Sequence, residues 1–324
     1  MVIFNGNHWT LHYFNVSIVS GKEHYTGVTM STVFKTIGIF GRVKNHGVKE
    51  TLKALIHYLN QFPLTVLVET ETAEPLYDSS LNMITRHQMA TQCDLLIVVG
   101  GDGSLLHAAH AIVNHTVPVL GINRGSLGFL TDILPTELDK VKSILEGKYR
   151  LEKRFLLTTT ITLDNQLIGQ EEALNEVALL PDAKPHMIEF EIYIDDQFVC
   201  SQDSDGLIIA TPTGSTAYAL SGGGPILHPQ LDAIVLVPIF PHTLSSRPIV
   251  IEGNRKINII ISPDNPTSPR VSCDGRDTLS APSGSHIMIH KKSQPLHLIH
   301  PVDYNYYEAL RSKLHWGKKL QYSE

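Results

Sequence analysis

The stretch Asp94-Leu-Leu-Ile-Val-Val-Gly-Gly-Asp-Gly-Ser-Leu105 decides the fold of this chain. Its continuous apolar run is typical of a strand that is covered on both faces. Glycines end the run, and the residues after them are expected to open a helix. A buried strand that leads through a tight turn into a helix is the repeating unit of an α/β domain, so the stretch predicts a parallel sheet.

Further strands and helices are predicted on both sides of this stretch. Apolar residues within 47–61 recur at helical spacing. Strands that alternate with helices indicate a parallel, doubly wound sheet, and we predict an α/β N-terminal domain over residues 31–148. The predicted strands are 34–40, 64–68, 94–99 and 117–122.

The pattern changes near residue 150. Residues 149–168 and 188–199 are rich in β-branched residues that alternate with polar ones, and Asp195-Asp196 predicts a hairpin turn. We therefore expect a β-rich, sandwich-like C-terminal domain over 149–300 and a C-terminal helical segment over 301–324. Short strands are predicted at 207–210, 234–237, 248–251 and 257–261.

The composition excludes several classes of protein. Hydrophobic residues make up 42% of the 324 residues and charged residues 18%, which is typical of folded domains rather than disordered chains. The formal net charge of −6 provides no general attraction for nucleic acid or an anionic membrane. An acidic protein must therefore bind acidic ligands locally, through backbone N–H groups, metal ions and a few cations.

Other sequence features concern the location of the protein. No apolar run reaches the roughly 18 residues of a membrane helix. Residues 1–30 lack the features of a signal peptide and are expected to form a poorly ordered N-terminal extension. Three distant cysteines fit a reducing compartment, so we expect a cytoplasmic protein. No C-x-x-C pair suggests a thiolate zinc site.

The turn 100–103 is the first candidate site. Ligands of open α/β sheets lie outside the carboxyl ends of the strands, where glycines let the backbone approach a phosphate and a helix N-terminus offers free N–H groups. Asp102 is then available as an acceptor or a base. A tight turn with Asp102 as helix N-cap explains the motif equally well. The turn is neither a Walker A loop nor a G-x-G-x-x-G fingerprint.

Three more motifs follow along the chain. Residues 121–132 come after the next strand and can frame the same cleft, although such a loop alone is more often a structural turn. Asn175-Glu176 can clasp a diol such as a ribose, or can lie in solvent. Residues 205–218 offer many hydroxyl and N–H donors without net charge, which suits a polyphosphate. His107 and His110 are expected at the surface.

In this order, the motifs resemble those of the NAD kinase family over about residues 34–320. The turn 100–103 is similar to the family's Gly-Gly-Asp-Gly motif, Asn175-Glu176 to its Asn-Glu motif, and 211–218 to its hydroxyl-rich loop. Gly-Gly-Asp-Gly alone is shared with phosphofructokinases and diacylglycerol-type lipid kinases, whereas the ordered set is much more specific. Similarity to the Gram-negative bacterial branch lies in 125–132, 240–248 and 298–304.

The resemblance implies phosphorylation of the 2′-hydroxyl of the adenosine ribose of NAD by ATP, which gives NADP and ADP by direct transfer. Asp102 would be the general base, and Asn175 and Glu176 would hold ribose hydroxyls. A divalent ion, Mg²⁺, would arrive largely with ATP, without a dedicated metal site. The phosphates would contact Gly100, Gly101, Gly103 and Ser104. The dinucleotide site would include Gly103, Phe129, Asp205, Thr213, Thr216, Ala217 and Tyr218.

The resemblance also implies that NAD binds between the domains, often across subunits, in a homodimer or homotetramer, and that the last helix packs back on the first domain. Two positions differ from the pattern. Ser104 stands where many members of the branch carry Asn, which affects contacts near the phosphates. Asp203 lies where members vary and bears on the choice of donor.

Two other functions stay open at this point. A lipid or sugar-phosphate kinase would share the turn 100–103, but it would not need the Asn-Glu pair, and a lipid kinase would need a membrane-docking stretch that this sequence lacks. A non-catalytic NAD(P) sensor would use the same pocket without needing Asp102. Testing diacylglycerol and fructose 6-phosphate as phosphoryl acceptors distinguishes a lipid or sugar-phosphate kinase from an NAD kinase. Binding of NADPH without turnover would indicate the sensor.

Overall fold

The computed structural model describes residues 2–5, 8–11, 32–42, 47–124, 128–182, 186–276 and 278–317. The chain divides into two units, Met1–Ser31 and Thr32–Glu324. In the first unit, strands β1 (Val2–Asn5) and β2 (His8–Leu11) form an antiparallel hairpin. Each strand has only four residues, too few for a sequence period to reveal it.

The second unit begins with an α/β lobe. Helix α1 buries the apolar face that its spacing predicted, including Leu52, Leu55 and Leu59, and the strand β6 is buried along its whole length. The helices are α1 (Val48–Leu59), α2 (Thr70–Ala73), α3 (Arg86–Gln92), α4 (Asp102–Ala111) and α5 (Leu138–Leu145). The strands are β3 (Thr36–Gly41), β4 (Thr65–Glu69), β5 (Met83–Ile84), β6 (Leu95–Gly100), β7 (Val119–Asn123) and β8 (Arg150–Arg154).

A β-rich lobe follows, with two six-stranded antiparallel sheets in the orders β10-β9-β20-β17-β12-β13 and β16-β15-β14-β11-β18-β19. Apolar residues from both sheets form one core around the fully buried Phe190. The strands are β9 (Leu157–Leu163), β10 (Gln166–Ala173), β11 (Glu176–Leu180), β12 (Ile188–Ile194), β13 (Gln197–Ser204), β14 (Gly206–Ala210), β15 (Ala233–Ile239), β16 (Ile249–Glu252), β17 (Ile257–Ile261), β18 (Arg270–Cys273), β19 (Thr278–Ser280) and β20 (His286–Lys291). A short helix, α6 (Tyr218–Ser221), lies between β14 and β15.

The chain then returns to the first lobe. Strand β21 (Leu296–His300) pairs in parallel with β7 and antiparallel with β8, and helix α7 (Tyr306–Leu314) follows. The first sheet therefore has the order β5-β4-β3-β6-β7-β21-β8. The sequence placed β8 and β21 within the β-rich residues 149–300, because a strand's period does not reveal which sheet it joins.

The predicted fold class is confirmed: a parallel-sheet α/β lobe precedes an antiparallel β-rich lobe. The turn at Asp195-Asp196 joins β12 to β13, and both residues have the positive φ of a tight hairpin turn, 48° and 64°. Across the described ranges, none of the helices has both the length and the apolar character needed to cross a membrane.

Candidate active site

Asp102 lies at the carboxyl end of the buried strand β6, in the first turn of α4. The turn depends on Gly100, whose φ is 156° and where a side chain would overlap the Ser104 hydroxyl. Gly101 and Gly103 have open space where a side chain would stand. The backbone of the turn is therefore accessible, and Asp102 carries its only side chain that can ionise.

The segment after β7 closes over the Asp102 carboxylate. The Phe129 amide donates to Oδ2 over 2.9 Å, and Oδ1 accepts from the Leu130 amide over 3.0 Å and from the Thr131 hydroxyl over 3.1 Å. A side chain at Gly128 would overlap Oδ1, so only glycine allows this approach. The loops that follow β6 and β7 thus frame one site. The part of this motif at 125–127 lies outside the described residues.

The Asn175-Glu176 pair is held by Asp274, a residue that the sequence analysis missed. The Asp274 side chain is fully buried and accepts the amides of Leu174, Asn175 and Glu176 at 2.8–3.0 Å. Its backbone adopts a positive φ of 56° in the turn between β18 and β19. In the sequence, Cys-Asp-Gly indicates only a turn, so nothing local reveals its partners.

Asp274 also connects this pair to the helix that carries Asp102. His110, two turns along α4, has Nε2 2.6 Å from Asp274 Oδ2, and its side chain is only 8% exposed. The expectation of a surface position for His110 was therefore wrong, because the β-rich lobe covers this face of α4. One buried carboxylate fixes the relative position of α4 and residues 174–176.

Glu176 is an unusual carboxyl group. Burial raises its pKa, the nearby Asp274 charge raises it further, and the Tyr218 amide lowers it in part, leaving the pKa at about 7. Its Oε2 is buried and has no hydrogen-bond partner within the described ranges. A carboxyl that is partly protonated near neutral pH can both donate a hydrogen bond to a hydroxyl and accept one.

The hydroxyl-rich loop packs directly against this pair. Thr211 donates its hydroxyl to the Leu174 carbonyl over 2.6 Å and its amide to the Asn175 carbonyl over 2.9 Å. A side chain at Gly214 would overlap the Asn175 backbone. This contact brings the predicted residues of the loop next to Asn175 and Glu176, namely Thr213, Thr216, Ala217 and Tyr218.

Aromatic residues connect Phe129 to the β-rich lobe. The rings of Phe129 and Tyr306 lie 6.2 Å apart, and the Tyr306 hydroxyl donates to the Leu227 carbonyl over 3.4 Å. The Leu227 amide donates to the Ser215 hydroxyl over 2.9 Å, within the hydroxyl-rich loop. Helix α7 thus contacts both the Asp102 side and the loop side of the site.

A cleft of about 560 Å³ begins at Gly103 and runs along one side of α4. The guanidinium groups of Arg42 and Arg276 line it, together with His107 and Asp274. Arg276 is also paired with Glu171 over 3.0 Å. The cleft supplies the local cations that an acidic protein needs to bind an acidic ligand.

Asp205 does not lie next to Asn175 and Glu176, unlike the predicted residues of the hydroxyl-rich loop. It precedes β14, and Glu176 pairs with Ala210 at the other end of that strand. At about 3.3 Å per residue, Asp205 lies roughly 16 Å from Ala210 along the strand. Its role in the dinucleotide site stays a prediction.

The comparisons with known proteins agree with this geometry. Residues 37–150 match the model of the ATP-NAD kinase N-terminal domain and residues 174–301 that of the ATP-NAD kinase C-terminal domain. The chain belongs to the NAD kinase family. The prediction of an NAD kinase enzyme, based on the ordered motifs, is confirmed.

Individual relatives cover most of the chain. The NAD kinase of Ectopseudomonas mendocina is 54% identical over 89% of this chain and 98% of its own length. The NAD kinase of Pseudomonas entomophila is 55% identical over 89% of this chain and 97% of its own length. Yeast NADH kinase complexed with NADH superimposes with a TM-score of 0.82 at 26% identity, covering 90% of both chains. An Archaeoglobus fulgidus NAD kinase in complex with ATP superimposes with a TM-score of 0.65 at 25% identity. The match covers 86% of this chain and 99% of that chain.

Proposed function

We propose that this NAD kinase family member transfers the γ-phosphoryl group of ATP directly to the 2′-hydroxyl of the adenosine ribose of NAD, with Asp102 as the general base. The observation that carries the proposal is the position of the Asp102 carboxylate, at the end of β6 and within the framed site. Direct transfer depends on positioning and on neutralising charge as it spreads over the phosphoryl oxygens.

Among the described residues, the hydrogen bonds of Asp102 leave one lone-pair position free for the substrate. A carboxylate has about four lone-pair positions. In the described part of the chain three donors reach Asp102, and its Oδ2 accepts only the Phe129 amide. The remaining position on Oδ2 would accept the proton of the ribose 2′-hydroxyl.

In the transfer step the ribose 2′-oxygen bonds to the γ-phosphorus of ATP. The bond between the γ-phosphorus and the bridging oxygen breaks and leaves its electron pair on ADP.

We assign the ribose hydroxyls of NAD to Asn175 and Glu176. The unpaired Glu176 oxygen and the adjacent hydroxyl-rich loop support this assignment. Gly103, Phe129, Thr213, Thr216, Ala217 and Tyr218 would line the rest of the dinucleotide. Asp205 would contact NAD bound by another copy, which fits a homodimer or homotetramer. The likeness to yeast NADH kinase, solved with NADH, supports a dinucleotide acceptor.

The donor phosphates would lie against Gly100, Gly101, Gly103 and Ser104, at the N-terminus of α4 and beside the cleft. The described residues contain no group of three or more His, Cys, Asp or Glu side chains placed to hold a metal ion. We therefore propose that Mg²⁺ is bound mainly by ATP and water and offsets the charge of the phosphates. A cytoplasmic location stays a prediction.

The test compares Asp102→Asn with Thr131→Val, measuring NADP formation from NAD, ATP and Mg²⁺. Loss of the base should lower kcat by about 10²–10⁴-fold while NAD still binds in calorimetry. Thr131→Val removes one hydrogen bond to the same carboxylate and reports the effect of loosening the loop alone, which should be much smaller. Near-normal turnover of Asp102→Asn, or an equal loss in both variants, would contradict the base assignment.

A parent protein that binds NAD or NADPH but forms no NADP with ATP would point to a sensor or to a different phosphoryl donor. Testing inorganic polyphosphate as the donor in the same assay separates these two possibilities.

A further inference from the structure

A second group of buried charges lies behind the site, at residues to which no function has been assigned above. It consists of Asp132, Glu152, Arg154 and His300, which we call the buried ion cluster. Their side chains are between 1% and 11% exposed. Such burial of four charged or ionisable groups is costly unless they satisfy one another.

The cluster is built by strand pairing that brings distant parts of the chain together. Glu152 and Arg154 lie on β8, which pairs antiparallel with β21, where His300 is the last residue. His300 Nδ1 lies 2.9 Å from Asp132 Oδ2, and its Nε2 lies 3.2 Å from Glu152 Oε2. The Arg154 Nε lies 3.1 Å from the other Glu152 oxygen. The Tyr304 ring stacks on the imidazole at 3.9 Å.

This arrangement favours a protonated His300. A neutral imidazole has one N–H, whereas both ring nitrogens face a carboxylate. Burial lowers the pKa of His300, but its hydrogen bond to Asp132 and the close Glu152 carboxylate outweigh that effect and raise the pKa. With His300 charged, two cations balance two carboxylates. The only other titratable group packed on the ring is the buried Tyr304 phenol, within the described part of the chain.

The cluster contacts both halves of the active site. Asp132 directly follows the residues that hold the Asp102 carboxylate, Phe129 to Thr131. At the other end, Arg154 Nη1 donates to the Thr213 hydroxyl over 3.2 Å, and Thr213 belongs to the hydroxyl-rich loop. A shift of the cluster would therefore move the base and the acceptor site relative to each other.

We propose that His300 is a positioning residue for phosphoryl transfer, which fixes the loop on Asp102 through Asp132 and fixes Thr213 through Glu152 and Arg154. The inference rests on the proposed function. Misplacement of reacting groups by about 1 Å can cost about 10²-fold in rate, so the effect should appear in kcat rather than only in stability.

The experiment measures kcat for NADP formation by His300→Gln, Glu152→Gln and the double variant, each confirmed as folded by circular dichroism. His300→Gln leaves two carboxylates facing one cation and should lower kcat by about 10–100-fold. The double variant restores the charge balance, so its kcat should equal or exceed that of His300→Gln. His297→Gln, on the opposite face of β21, is the matched control and should retain the parent kcat.

The pH profile provides a second readout. Because its pKa is raised, His300 loses its proton at a higher pH than an ordinary imidazole does. Above that pH the kcat of the parent should decline, whereas the kcat of His300→Gln should not. Additive losses in the double variant, or a folded His300→Gln with the parent's kcat and pH profile, would overturn the positioning role alone. If the parent forms no NADP, the proposed function and the positioning role fail together.

Discussion

Replacing Glu176 with Gln tests the electrostatics of the site without using the reaction. The pKa of this carboxyl rises from its ordinary 4.5 to about 7, chiefly through burial and then through the Asp274 charge. The folded state therefore holds a proton that the unfolded chain releases between these two pH values. Stability should fall as pH rises through this window, by about 3 kcal/mol at about 1.4 kcal/mol per pH unit.

In Glu176→Gln this loss should disappear, because the amide does not ionise. Between about pH 5 and pH 8, the parent should lose most of the roughly 3 kcal/mol, and the variant should not. The free energy of unfolding of the variant minus that of the parent should therefore increase by that amount. Urea unfolding at the two pH values measures it, on protein free of nucleotide. Glu189→Gln, which removes an exposed carboxyl from β12, serves as the control for surface charge.

An equal difference in stability between variant and parent at both pH values would show that the pKa of Glu176 is not raised in the folded protein. Such a result would mean that the carboxyl ionises freely in the folded protein. Water or an unseen cation would then satisfy it, and its role as a proton-bearing partner of a ribose hydroxyl would have no support.

Three further substitutions test other contacts. Gly128→Ala should push the loop off Asp102 and lower kcat about 10²-fold with a smaller change in Tm; an unchanged kcat would show that the close approach is unimportant. Asp274→Asn should destabilise the protein by about 3 kcal/mol in urea unfolding, since a buried charge with four partners is lost, and a change below about 1 kcal/mol would contradict that reading. Thr213→Val removes the acceptor of Arg154 and should raise the KM for NAD about tenfold, whereas a change in kcat alone would place Thr213 elsewhere in the cycle.

The local sequence was sufficient to predict the strand, turn and helix that carry Asp102, but not β11 or the turn between β18 and β19, which carry Glu176 and Asp274. Five apolar residues in a row gave β6, and helical spacing gave α1, with ends that differ from the prediction by one or two residues. The glycines and Asp102 marked the turn because a strand-to-helix connection at a sheet's carboxyl edge has few solutions. Order along the chain then separated this family from others that share Gly-Gly-Asp-Gly.

Tertiary structure alone decided which distant residues meet. Asp274 and His110 are 164 positions apart, and His300 and Asp132 are 168 apart. The sequence around these residues does not reveal either pair. A carboxylate that contacts a distant part of the chain can have the same sequence neighbours as one that lies in solvent. The sequence by itself determined the parallel strands β3, β4, β6 and β7 and the turn that carries Asp102, whose role as the base stays a prediction. The sheet that β8 and β21 join, the raised pKa of Glu176 and the buried ion cluster depend on burial and long-range contact, which exist only once the chain has folded.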